Sequence, residues 1–197
     1  MERELKPRRV FVNPVYKDKV TILKSSEETG GLYSLGELEV SPGGGNQFHT
    51  HTAFDETFTA VRGVLGVAVK DEKLFLLPGD SYTVPKHTPH HFFNITNETV
   101  VCQVKFTPGH EGFEKGIAIA YGLAAEGKTN KKGIPKNLMY LALIIKLTDT
   151  SPIGLLKMLN PVFSWLAKKA KKNGMEDALL KKYYYRETQK KFELENV

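Results

Sequence analysis

Residues 43–63 read GGGNQFHTHTAFDETFTAVRG, and the reading of the whole chain turns on them. His49 and His51 sit two apart, and Glu56 follows five residues later. In a β-strand, residues i and i+2 project to the same face, so the two imidazoles are expected to point together. Two imidazoles and a carboxylate on one wall suit a divalent transition metal. Gly43, Gly44 and Gly45 predict a tight turn into the strand, and Gly63 a turn out of it. Period-two spacing extends the face: Gln47 shares it with His49 and His51, and Phe58 with Glu56. Asp55 is the neighbouring alternative to Glu56, turned to the opposite side of a strand.

A second stretch, residues 79–94, reads GDSYTVPKHTPHHFFN. Taken together, the two stretches resemble the paired signature motifs of the cupin superfamily. The first motif has a glycine, five residues, His-x-His, three or four residues, a glutamate, six residues and a glycine. Gly43, His49, His51, Glu56 and Gly63 fit each spacing, and Gly79, Pro85, His90 and Asn94 fit the second motif. One position departs: the second motif usually has glycine two residues after its proline, where this chain has His87.

The resemblance covers roughly residues 8–109 and implies a mainly β fold, the double-stranded β-helix or jelly-roll barrel. It also implies one divalent metal ion (Fe, Mn, Ni or Zn) on His49, His51, Glu56 and His90. His91 is the alternative to His90, disfavoured by motif spacing and by its opposite strand face. Gln47, Phe58 and Phe92 are expected to line the pocket. Cupins with this ligand set include dioxygenases, isomerases, lyases and decarboxylases. The expected function is a small, dioxygenase-like metalloenzyme acting on a small molecule in the barrel. The alternatives are a cupin isomerase acting on a sugar-type substrate and a non-catalytic small-ligand-binding module. No catalytic residue beyond the ligands is assigned.

The chain has 197 residues, 41% hydrophobic and 25% charged, a composition ordinary for a globular protein. The single cysteine, Cys102, excludes an internal disulfide and lies in an apolar run where a buried side chain is expected. The charged start MERELKPRR lacks a signal-peptide core, and no apolar run approaches the roughly 20 residues of a bilayer span. A soluble, cytoplasmic protein is therefore expected, with a homodimer as its assembly. The net charge of +6 comes entirely from residues 128–197; before them, acidic residues outnumber basic ones. No P-loop, dinucleotide fingerprint or nucleophile elbow is present. The lysine pairs at 168–169, 171–172 and 181–182 read as solvated helix faces, so neither a nucleic-acid partner nor membrane-surface contact is expected.

Residues 9–109 alternate short β-prone runs with Gly and Pro turns. After Pro108-Gly109 the period changes from two to 3.6. Phe113, Ile117, Ala120, Tyr121 and Ala124 mark a helix over 111–126, with Gly127 as its stop. A second helix is expected from Pro135 to Leu147 and a third from Pro161 to Asn173. Ser151-Pro152 reads as a further helix start, and a last helix is expected from about Met175 to Gln189. Residues 111–197 thus form an α-helical extension, expected to pack on its own barrel or on a dimer partner. His87 and His110 are expected at the surface.

Overall fold

The computed structural model describes residues 3–151 and 158–189. Two edge elements come first: β1 (Arg3–Pro7) and β2 (Val10–Asn13). The barrel continues with β3 (Asp18–Lys24), β4 (Ser34–Val40), the two-residue β5 (Thr50–His51) and β6 (Asp55–Arg62). It closes with β7 (Leu65–Val69), β8 (Glu72–Leu76), β9 (Ser81–Val84), β10 (His90–Phe93) and β11 (Val100–Thr107). One sheet runs β2-β3-β4-β11-β6-β9, with every neighbour antiparallel. The facing sheet runs β10-β7-β8. Isolated pairs Gly45↔Phe93 and His49↔His90 add the segment before β5 to its β10 edge. The result is the jelly-roll barrel.

Alternation explains how these strands face each other. In β6 the burial alternates over Glu56, Phe58 and Ala60, which point inward between partly exposed threonines. Leu38, Val67, Val84 and Cys102 complete the packed interior. The turn after β6 uses Gly63 at φ +75°, a conformation that costs a residue with a Cβ. His87 stands where the motif usually carries glycine, and its φ of +67° gives the reason for the glycine. Its amide donates to the His51 carbonyl at 2.6 Å, which offsets part of that strain, and its side chain is exposed.

The extension holds α1 (Glu111–Ala125), α2 (Leu138–Leu147), β12 (Thr150–Ser151), α3 (Asn160–Lys172), α4 (Met175–Tyr183) and β13 (Tyr185–Gln189). His110 is half-buried rather than on the surface. It caps α1, its Nδ1 accepting the Phe113 amide at 2.9 Å, and its ring lies 5.1 Å from that of Phe54. The second helix begins at Leu138, not Pro135. Asn137 accepts the Met139 and Tyr140 amides, and such a cap is worth about 1 kcal/mol, so the helix starts where its orphan amides find a partner. Ser151-Pro152 as a helix start lies outside the described residues.

The last helix also ends early. The chain leaves α4 at Tyr184, and β13 pairs antiparallel with β1, from Arg3↔Gln189 to Pro7↔Tyr185. Tyr and Thr suit a strand as well as they suit a helix, and the Arg8 amide donates to the Tyr184 carbonyl at 2.7 Å. The free edge of β1 decides between them.

A second core joins the helices to the barrel. Ala118, Ile119 and Leu123 of α1, Leu143 of α2, and Leu180 and Tyr183 of α4 bury together with Phe11 of β2. The α1–α4 crossing is close at Gly122, where an added Cβ would meet the Tyr183 ring at 2.2 Å. Among the described residues no helix is long and apolar enough to cross a membrane.

Candidate metal centre

Four side chains converge inside the barrel. His49 and His51 come from the segment ending in β5, Glu56 from the second residue of β6, and His90 from the first of β10. One donor atom from each lies within 4.8 Å of all the others. His90 Nε2 sits 2.8 Å and His51 Nε2 3.6 Å from Glu56 Oε2. His51, Glu56 and His90 are buried, and His49 is partly open to the cavity.

Backbone carbonyls orient the three rings. His49 Nδ1 faces the Gln47 carbonyl at 2.8 Å, His90 Nδ1 the Thr88 carbonyl at 2.9 Å, and His51 Nδ1 the Asp149 carbonyl at 3.3 Å. A carbonyl only accepts, so each Nδ1 carries a proton; the neutral His49 and His51 rings then turn an Nε2 lone pair inward, whereas His90 Nε2 donates a proton to Glu56 at 2.8 Å that a bound metal would displace. Burial, reinforced by the neighbouring imidazoles, pushes His49 and His51 down to about 3 and keeps them neutral. Burial acts the same way on His90, but the hydrogen bond and charge of Glu56 outweigh it and raise its pKa.

His51 Nε2 is buried with no hydrogen-bond partner. An orphan of this kind costs about 1–3 kcal/mol, and a cation at the centre of the four donors removes that cost. Three inward-facing imidazole Nε2 atoms and a carboxylate are, once His90 gives up its proton, the donor chemistry of a divalent transition metal. The cluster therefore fits a divalent metal site.

The neighbouring side chains are engaged elsewhere. Asp55 accepts the Lys86 amide at 2.8 Å. His91 turns to the opposite face of β10, its ring 4.4 Å from that of Phe48. Gln47 is exposed at the cavity rim, Phe92 lines the cavity, and Phe58 is fully buried behind His90, at a ring distance of 6.3 Å.

Two contributions come from the extension and carry no signal in the motif stretches. Phe113 of α1 packs 5.7 Å from the His51 ring and 4.3 Å from Phe106. Asp149, at φ +49°, clasps the ligand strand: its carboxylate accepts the Thr52 and Ala53 amides and the Thr52 hydroxyl. The next residue begins β12, which pairs with β5 as Thr150↔His51 and Ser151↔Thr50. The extension thus adds a strand directly to the His-x-His strand.

The cavity beside the cluster has a volume of about 540 Å³. His49 and Glu56 lie at one part of its wall, and Lys132 and Ile134, both exposed, line another.

Residues 36–105 match the family model of the cupin domain. These residues carry a cupin domain. Several solved structures are similar to this chain. KdgF from a Halomonas species is 22% identical over 48% of this chain and 82% of its own, with a TM-score of 0.43. A sugar phosphate isomerase of the cupin superfamily from Silicibacter pomeroyi is 20% identical over 53% of this chain and 71% of its own, with a TM-score of 0.43. A protein from Thermus thermophilus is 25% identical over 39% of this chain and 72% of its own, with a TM-score of 0.37. No curated protein matches this chain.

Proposed function

We propose that this chain is a metal-binding cupin that works as a small, dioxygenase-like metalloenzyme. Residues 8–109 form its barrel unit, and residues 111–197 form the extension that closes the site. The observation that carries the reading is the buried, partnerless His51 Nε2 among three further donors within 4.8 Å. His49, His51, Glu56 and His90 would hold one divalent ion, with Fe, Mn, Ni and Zn all compatible with mixed N/O ligands. A bound ion there supplies Lewis acidity or activates dioxygen.

The protein's own part is to hold neutral imidazoles in place, to keep the Glu56 carboxylate unscreened by water, and to present a substrate from the cavity. The cavity wall is largely aliphatic and aromatic, with Val20, Ile22, Phe92, Val104 and Ile144 on it. Such a wall offers a sugar few hydrogen bonds, which disfavours the sugar-type isomerase.

Elemental analysis of the purified chain tests the site. One divalent ion per chain is expected in the wild type and in His91→Ala, and most of it should be lost in His51→Ala and His90→Ala with circular dichroism unchanged. Loss in His91→Ala but not in His90→Ala refutes the ligand set. Oxygen uptake over a panel of catechols, flavonols and sulfur amino acids tests the reaction; binding without turnover across the panel favours a non-catalytic module.

A further inference from the structure

The cavity beside the cluster is lined by residues of both the barrel and the extension. At about 540 Å³ it falls in the range of sites built for small organic ligands, roughly 300–1,000 Å³. One part of it is lined by β3 and β4 (Val20, Ile22 and Leu38) and by the helices α1 and α2 (Ile117, Leu141 and Ile144). The extension therefore supplies one long wall. In α1 the division is visible along the helix: Ala118, Ile119 and Leu123 are packed in the second core, whereas Ile117 and Ala120 are only half-buried and line the cavity.

Several polar groups along this wall already have partners. Asn13 accepts the Val15 and Tyr16 amides, and Asn46 accepts the Phe92 amide. Ser34 donates to Glu114, Tyr121 donates to Asp18, and Thr148 donates to the Ile144 carbonyl. A largely aliphatic and aromatic wall favours apolar ligand surface. At the His/Glu end, the buried His51 Nε2 has no partner. With a divalent ion, three neutral imidazoles and one carboxylate, that end carries a net charge of +1, which attracts an anion.

Resting on the reading of the cluster as a divalent metal site, we propose that the cavity binds an elongated apolar molecule with one anionic oxygen head group. The head lies at the His49/Glu56 end, and the apolar body lies between the β3–β4 face and α1–α2. The helical extension then sets the substrate class.

The test titrates the full-length, zinc-reconstituted chain with hexanoate, decanoate and tetradecanoate by calorimetry, below their micelle concentrations, with zinc content measured in parallel. Affinity should rise about fourfold per methylene until the cavity is full. Ala120→Trp, which projects from α1 into the cavity, should flatten that rise while zinc content is unchanged. Ile117→Ser is the second variant, should Ala120→Trp lose the wild-type circular dichroism. It should weaken tetradecanoate more than hexanoate. Flat affinity across the series in zinc-loaded wild type overturns the inference and leaves the metal reading standing. A rise in chain that retains no zinc supports the apolar cavity and overturns the metal reading. A rise that the folded cavity variants leave untouched overturns the inference, because binding then lies outside the cavity.

Discussion

Asp18 joins the barrel to its extension through a buried carboxyl, and replacing it with asparagine should remove a pH dependence of stability. It opens β3, is 3% exposed, and accepts the Tyr121 hydroxyl of α1 on Oδ2 at 2.9 Å. Its other oxygen, Oδ1, is buried with no hydrogen-bond partner. Burial raises its pKa from 3.8 to about 7, against the smaller opposing effect of the Tyr121 hydrogen bond. As pH rises past 3.8 the unfolded chain releases this proton while the folded chain keeps it. Stability therefore falls with pH up to about 7 and is flat above that. The whole loss is about 4 kcal/mol, of which about 3 kcal/mol falls between pH 5 and pH 8.

Asp18→Asn keeps an oxygen for Tyr121 and removes the titration, but it leaves buried amide hydrogens unpartnered, at about 1–3 kcal/mol. The variant should gain about 3 kcal/mol on wild type between pH 5 and pH 8 and be the more stable protein at pH 8. Urea denaturation of both full-length proteins at pH 5, 6, 7 and 8 measures this, and taking the difference cancels the other titrating groups. Parallel stability curves over that range would refute a raised Asp18 pKa.

Three further outcomes follow from the site and its clasp. Asp149→Ala should weaken zinc affinity about 10- to 100-fold with little change in circular dichroism, because it frees the Thr52 and Ala53 amides beside His51; unchanged affinity in a chelator competition would show that β12 pairing alone holds the strand. Metal should displace the proton that Glu56 holds on His90, while His49 and His51, near 3, stay neutral. Affinity should thus fall about tenfold per pH unit below a His90 value lying above 6.5, and a slope of three protons per metal by dye competition would contradict this. Removing residues beyond Gly109 should uncover Phe11, Val20 and Ile22 and cause aggregation; a truncated chain that stays monodisperse by light scattering, with its wild-type melting temperature, would contradict that packing.

What the sequence determined by itself follows from short-range periodicity. His49 and His51 share a face because a strand repeats every two residues, and Glu56 and His90 reach them because motif spacing encodes the lengths of the intervening turns. The period change after Gly109 likewise marks the start of the helices. Other features needed the tertiary structure. Asp149 acts on Thr52 across 97 residues of chain, a separation at which no local pattern survives. The strand β13 exists because β1 offers it an edge, and Tyr185–Gln189 has no strong preference of its own. His110 reads as a surface residue until α1 folds back and makes it a cap beside Phe54. The cavity wall is the clearest case: Ile117 and Ala120 fall on the same apolar helix pattern as packed residues, and only the spacing between α1, α2 and the β3–β4 face leaves them lining open space. Periodicity says which side chains leave the solvent; whether they meet a neighbour or a ligand is decided by how far apart the packed elements come to rest.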